Sequence, residues 1–128
     1  MNINHNTKLF LSIASFMMAL AVAIGAFGAH GLKNIVEPSM LTTYNTGVEY
    51  HFYNTLGLFA TSFMMFLKPT SKKLVIASWL ILMGTIIFSF SLYLLVILNM
   101  PILGAITPIG GTLMIIAWLM VAYAIYKD

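Results

Sequence analysis

Long apolar runs alternate with short polar segments along the chain, and this spacing predicts a bundle of membrane-crossing helices. Residues 9–29 form the first run, which carries no charge over 21 residues. The run is longer than the apolar core of a signal peptide, so we interpret it as a retained span. Residues 74–126 also contain no charge. A stretch of that length suits two helices joined by a hinge, since about 20 residues cross the hydrocarbon core.

The pattern therefore predicts an all-α membrane protein, a four-helix transmembrane bundle forming one integral membrane domain over residues 1–128. We place the spans at about residues 9–29, 48–67, 74–98 and 103–126. Prolines and glycines between residues 99 and 111 mark the hinge, and they predict a kink or irregular turn near residues 107–111.

The segment before the second span has a different pattern, with apolar residues at helical spacing among polar ones. Pro38 suits the first position of a helix. We expect a short amphipathic helix that either lies on the membrane surface or extends the second span outward. Gly47 is the expected joint.

Composition excludes several classes of protein. Hydrophobic residues make up 61% of the chain and charged residues only 7%, whereas soluble domains carry about 25% charged residues. The chain has no cysteine, so it has no thiolate nucleophile and no thiolate metal site. Its lysines are spread over the ends of apolar runs, and a nucleic-acid partner would need a clustered basic surface.

The lysines predict the orientation instead. Five of the six fall on the side of the membrane that holds both termini and the turn at residues 68–73: Lys8, Lys68, Lys72, Lys73 and Lys127. Lys33 is alone on the other side. Short loops rich in lysine stay in the cytoplasm, so we expect both termini to be cytoplasmic and the protein to lie in the plasma (inner) membrane.

With this orientation, the polar residues of the spans fall in the extracytoplasmic half. We predict a ligand or partner site there, formed by His30, Glu49, Tyr50, His51, Asn54, Ser89, Tyr93 and Thr107. Intramembrane ionisable residues suggest function. The alternative is structural, because His30 could cap the end of its helix and the hydroxyl groups could form hydrogen bonds between helices.

Small residues predict where helices approach closely. Glycine in a membrane span lets neighbouring backbones pack against each other. We assign this packing role to Gly25, Gly28, Gly84, Gly110 and Gly111.

Three blocks of sequence resemble those of one family, the domain of unknown function 423 family of small inner-membrane proteins, to which transmembrane protein 256 is similar. The blocks are residues 25–32 (GAFGAHGL), 88–93 (FSFSLY) and 103–111 (LGAITPIGG), the last followed by Trp118. The chain departs from the family pattern at three positions. Asn54 stands where the family has histidine, His51 where it has glutamine, and Phe90 where glycine is usual. The resemblance implies a four-helix membrane protein without an established activity.

The sequence contains no nucleophile with a paired base and no pair of carboxylates in the membrane, so we do not expect an enzyme. We expect no metal and no cofactor, since histidines at ligand spacing are absent. The favoured hypothesis is a non-enzymatic membrane component that binds a lipid, a partner membrane protein or a second copy of itself. The alternatives are a small transporter or channel, and a subunit that binds haem or quinone.

Overall fold

The computed structural model describes residues 2–127, and these residues form helices and no strand. Two π-helical turns and one 3₁₀ turn interrupt or join the α-helices. The turns are Gly28–Leu32, which continues α1, Ile86–Phe90, which joins α3 to α4, and the 3₁₀ turn Pro101–Ala105, which precedes α5. The α-helices are α1 (His5–Phe27), α2 (Pro38–Leu67), α3 (Lys72–Thr85), α4 (Ser91–Leu98) and α5 (Thr107–Lys127).

Three helical stretches of the described chain are long and apolar enough to cross a membrane. They are His5–Leu32, Lys72–Leu98 and Pro101–Lys127. The all-helical membrane fold that the sequence predicts is confirmed at this level. The fourth long helix, α2, is not among the three, because the first half of α2 is rich in polar residues.

The helices pack into a bundle with two clusters of buried apolar residues. One cluster, at the end of the bundle that holds most of the lysines, joins Phe10 of α1 to Met65, Leu74 and Val121. We call this end the basic end; Lys73 lies there with its Nζ atom 5.5 Å from the centre of the Tyr123 ring. The second cluster, at the opposite end, contains the residues Leu32, Tyr44, Leu92, Tyr93, Leu95 and Val96. Since α2 contributes to both clusters, it runs the length of the bundle.

Two glycines allow the backbones of α3 and α5 to approach closely where these helices cross. A Cβ atom on Gly84 would lie 2.9 Å from the carbonyl oxygen of Gly110. A Cβ atom on Gly110 would lie 2.6 Å from the carbonyl oxygen of Gly84 and would collide with the backbone of Phe88. Both glycines are buried. The backbones of the two helices are therefore in direct contact.

The other three glycines that the sequence singled out have different surroundings. Gly28 is buried beneath the ring of Tyr44, and a Cβ atom there would lie 2.9 Å from the Cδ1 atom of that ring. A Cβ atom on Gly25 would lie 3.3 Å from a methyl group of Val48. Gly111 has more room, because its nearest neighbour would be a ring carbon of Phe88 at 3.7 Å.

The structure decides between the two arrangements predicted for the amphipathic segment. The segment is not a separate helix on the surface; it extends the helix of the second predicted span at its N-terminal end, as the other arrangement has it. The predicted joint at Gly47 is wrong, because α2 continues through this residue. The glycine at position 47 leaves room for the ring of Tyr93, which packs against it. The predicted kink at residues 107–111 is also absent. The chain bends at the 3₁₀ turn before Thr107, and Pro108 then falls in the first turn of α5, where proline needs no hydrogen-bond partner.

Candidate functional site

A histidine and a tyrosine form a hydrogen-bonded pair inside the bundle. His51 of α2 is 0% exposed and Tyr93 of α4 is 5% exposed. The Nδ1 atom of His51 lies 2.8 Å from the hydroxyl oxygen of Tyr93. The backbone of Met17 also approaches the imidazole, but Nε2 has no well-formed hydrogen bond. The bond to Tyr93 is therefore the main polar contact of the His51 side chain.

Residues around Tyr93 fix its position. Ser89, in the π-helical turn before α4, donates a hydrogen bond to the carbonyl oxygen of Gly47 at 2.7 Å. Tyr44 lies on the other side of the Tyr93 ring, with 5.3 Å between ring centres. Its hydroxyl donates to the carbonyl oxygen of Ile24 in α1 at 2.6 Å. These bonds link α1, α2 and α4, so the network has a clear structural role.

A separate groove opens on the side of the bundle between α2 and α5. Its volume is about 620 Å³, within the range of about 300–1,000 Å³ typical of small-molecule sites. Most of its lining is apolar or aromatic. The rings and the one amide that line it belong to Tyr50, Tyr53, Asn54, Phe88 and Trp118.

A tryptophan and an asparagine form the polar floor of this groove. The indole Nε1 of Trp118 donates to Oδ1 of Asn54 at 2.9 Å. Nδ2 of Asn54 donates to the carbonyl oxygen of Tyr50, one turn earlier in α2, also at 2.9 Å. An amide nitrogen carries two N–H groups, so one donor of Asn54 has no partner among the described residues. Asn54 is only 6% exposed.

Small residues make room for this arrangement. Gly57, one turn from Asn54, packs against the indole of Trp118, and a Cβ atom at Gly57 would lie 2.6 Å from its Cη2 atom. Gly111 lies on the α5 side of the groove, near the ring of Phe88. A side chain at position 57 would displace Trp118, whereas one at position 111 would extend into the groove.

The eight residues that the sequence predicted as one site occupy several places in the structure. His51, Tyr93 and Ser89 belong to the core network, and Tyr50 and Asn54 belong to the groove. The hydroxyl groups of Thr107 and Ser91 share a hydrogen bond of 2.6 Å. His30 and Glu49 are exposed, and neither makes a side-chain hydrogen bond within residues 2–127. In that range, no three histidine or acidic side chains come together as a metal site.

Sequence reasoning missed three parts of these sites: Tyr44, Phe88 as a groove wall, and Trp118 as a hydrogen-bond donor. A signal for Trp118 was available, because an indole N–H within an apolar span needs an acceptor. Asn54 was the polar side chain that could supply one. The contact joins residues 64 apart in the chain, so the sequence does not specify the pairing.

The chain matches a known family along most of its length. The family described as "Protein of unknown function (DUF423)" matches residues 24–111. The UPF0382 membrane protein YwdK of Bacillus subtilis is 42% identical over 120 residues, which cover 94% of this chain and 98% of that protein. The UPF0382 membrane protein of Staphylococcus saprophyticus is 38% identical over the same shares of the two chains. That of Haemophilus influenzae is 37% identical over 93% of this chain and 94% of its own. No solved structure matches. The resemblance seen in the three sequence blocks is thereby confirmed, and the chain belongs to the UPF0382 (DUF423) family of membrane proteins of unknown function.

Proposed function

We propose that this protein is a non-enzymatic, multi-pass component of the plasma membrane that holds an amphipathic lipid in the groove between α2 and α5. The main support for this proposal is the second N–H of the Asn54 amide, which has no hydrogen-bond partner among the described residues and lies at a groove with aromatic walls. A buried donor without a partner destabilises the protein by about 1–3 kcal/mol. A lipid with a hydrogen-bond acceptor would satisfy that donor and cover the apolar walls. A partner membrane protein with an inserted side chain is the competing occupant.

A lateral groove of this kind binds lipid only if α2 crosses the membrane, and its packing supports a fourth span. Tyr44, near the start of α2, bonds to Ile24 near the end of α1. Met65, near the end of α2, belongs to the same buried cluster as Phe10, near the start of α1. The two helices are therefore antiparallel neighbours over at least about 20 Å, the distance from Phe10 to Ile24 along α1. If α1 crosses the membrane, this part of α2 lies at the same depths.

The lysines favour a cytoplasmic basic end. The turn between α2 and α3 and the end of α5 lie together there, as the contact between Lys73 and Tyr123 shows. Short basic loops remain in the cytoplasm, and this supports cytoplasmic termini in a four-span topology. The groove then lies in the membrane interior, above the basic end.

Single introduced cysteines test this topology, because the chain has no cysteine of its own. Asn34 and Thr70 are exposed positions in the two loops that flank α2. We expect a membrane-impermeant maleimide, added to intact cells, to label Asn34→Cys and not Thr70→Cys. Equal labelling of the two variants would place both loops on one side and would exclude a fourth span in α2.

Native mass spectrometry tests the binding. We expect the wild-type protein, released gently from membranes, to retain one lipid molecule. Gly111→Leu should lose this lipid, since the new side chain extends into the groove. Ala122→Leu adds the same side chain at an exposed position of α5 that does not line the groove, and it should retain the lipid. Absence of any retained lipid from the wild-type protein would contradict the proposal, and a crosslinked protein at the groove would favour the competing occupant.

A further inference from the structure

We infer that the groove selects a quinone-class lipid, meaning a neutral lipid with a planar carbonyl-bearing ring and a hydrocarbon tail. The inference rests on the proposed lipid-binding function and names the chemistry of the occupant. Three features of the groove carry it: the depth of its polar floor, the kind of its walls, and the type of its free hydrogen-bonding group.

The polar floor lies too deep for the ester groups of a phospholipid. Along the helix axis, Asn54 is about 20 Å from the end of α2 at Leu67, and Trp118 is about 14 Å from the end of α5 at Lys127. The hydrocarbon core is about 30 Å thick, so the bond between Asn54 and Trp118 lies near its middle or slightly above. Phospholipid esters are tied to the charged headgroup at the boundary, about 15 Å from the middle. A neutral ring has no such anchor and can reach this depth.

The walls suit a flat ring better than they suit a flexible chain. The rings of Tyr50 and Phe88 lie 4.9 Å apart at 58°, and those of Tyr50 and Tyr53 lie 5.8 Å apart at 73°. The indole of Trp118 faces the same groove from α5. Aromatic rings attract one another in stacked or edge-to-face arrangements beyond the effect of buried area. A flexible acyl chain would gain binding free energy only from the apolar area that it buries.

The free hydrogen-bonding group selects an acceptor. The Oδ1 atom of Asn54 accepts from Trp118, and one N–H donates to the Tyr50 carbonyl, so a donor is what remains. A ring carbonyl is an acceptor that carries no charge and no hydrogen of its own, so it can enter the groove without burying another unpaired donor. Met114, on the α5 side, offers an adaptable apolar surface for the first part of a tail.

Tryptophan fluorescence can test the inference, since the chain has two tryptophans and only Trp118 lines the groove. Trp79 lies on α3, where its ring packs against Phe10 at 4.9 Å. Trp79→Phe therefore leaves a reporter in the groove. Trp118→Phe removes part of the groove floor and leaves only Trp79, so it measures the quenching that partition of the quinone into the bilayer causes by itself. The full-length protein is placed in nanodiscs of phosphatidylethanolamine and phosphatidylglycerol and titrated with a decyl-substituted benzoquinone, which quenches indole fluorescence on contact.

We expect saturable quenching of the Trp118 reporter and a linear, partition-limited response of the Trp79 reporter. In the Trp79→Phe background, Gly111→Leu should raise the apparent Kd for the quinone by about tenfold or more, and Ala122→Leu should leave the Kd unchanged. The infrared carbonyl band of carbonyl-labelled quinone should shift to lower frequency on binding, as expected for a hydrogen bond to Asn54. If circular dichroism shows that Gly111→Leu does not fold, Ile115→Trp replaces it, because Ile115 is another exposed residue of the groove lining and a larger side chain there also fills the groove. Binding to this variant is measured by calorimetric titration, since the added tryptophan would disturb a fluorescence measurement.

The failure of this inference differs from the failure of the proposed function. If quinone quenches both reporters linearly while a phospholipid brominated on its acyl chain quenches Trp118 saturably, the quinone assignment is overturned and lipid binding stands. If neither probe saturates and the protein retains no lipid in native mass spectrometry, both proposals fall. An unshifted carbonyl band with saturable quenching would overturn the assigned role of Asn54.

Discussion

Adjacent glycines in α5 provide a sharp test of the packing, because an alanine should have opposite effects at the two positions. At Gly110 the new methyl group would lie 2.6 Å from the carbonyl oxygen of Gly84 and 2.9 Å from the Cα atom of Phe88. These neighbours are backbone atoms on the α3 side of the crossing, and they cannot rotate away. At Gly111 the methyl group would lie 3.7 Å from the Phe88 ring, an ordinary van der Waals distance.

The size of the effect follows from the distances. To reach an ordinary carbon contact of about 3.5 Å or more, the two helix backbones must separate by roughly 1 Å at Gly110. A gap of that size forfeits about a quarter to a half of each contact that it opens, and overpacking typically destabilises by about 1–3 kcal/mol. Alanine also has a helix propensity up to about 1 kcal/mol better than glycine. The neighbours are backbone atoms, so we take the upper end of the overpacking range, about 3 kcal/mol, and subtract the propensity gain of up to about 1 kcal/mol. We therefore expect Gly110→Ala to destabilise the fold by about 2 kcal/mol and Gly111→Ala to be neutral or stabilising by up to about 1 kcal/mol.

Reversible unfolding in mixed micelles with increasing sodium dodecyl sulfate, followed by circular dichroism, measures this difference. The free energy of unfolding should fall in the Gly110→Ala variant alone. If the two variants agree to within about 0.5 kcal/mol, then α3 and α5 do not touch through their backbones at this crossing.

Three further predictions concern the core network and the groove floor. Tyr93→Phe should destabilise the protein by about 1–3 kcal/mol, because it leaves Nδ1 of His51 buried without a partner. In a double-mutant cycle, His51→Leu should lower the free energy of unfolding less in the Tyr93→Phe background than in the wild type. Additive effects would show that the pair is not coupled. Trp118→Phe removes the hydrogen bond to Asn54, so it should destabilise the protein by about 0.6–2 kcal/mol and cause loss of the retained lipid. An unchanged unfolding midpoint with unchanged lipid content would show that Trp118 and Asn54 do not form the polar floor of the groove. Gly28→Ala should destabilise by about 1–3 kcal/mol in the same assay, since its methyl group collides with the buried tyrosine ring that covers this glycine; a neutral result would mean that the ring does not pack there.

The apolar runs predict much of the fold because a membrane span is defined by length and lack of charge. The predicted third span, residues 74–98, corresponds to the helical stretch Lys72–Leu98. The sequence does not predict that this stretch contains a π-helical turn at Ile86–Phe90, because such a turn depends on packing against neighbouring helices. For the first turns of α2, the amphipathic pattern correctly separates the exposed Thr42 and Asn45 from the buried Tyr44. Further along α2, the polar side chains of His51 and Thr55 are buried, and their burial depends on packing against neighbouring helices.

The candidate site was less predictable than the fold. Residue type identified His51, Tyr93 and Asn54 as unusual within a membrane, and helical position could not say which of them touch. The pairing of His51 with Tyr93 spans 42 residues, and that of Asn54 with Trp118 spans 64. Such contacts depend on how the helices rotate and cross, and these angles follow from packing details such as the glycines at the crossing of α3 and α5.

A crystal structure of the protein taken from the membrane with its native lipids would show whether the groove holds a lipid. We expect continuous non-protein density in the groove between Asn54 and Leu119, with a polar atom of the occupant within hydrogen-bond distance of the free Nδ2–H of Asn54. Lipid binding in the groove is excluded if the groove is closed by its own side chains, with Asn54 bonded only to Trp118 and Tyr50 and no density beside it.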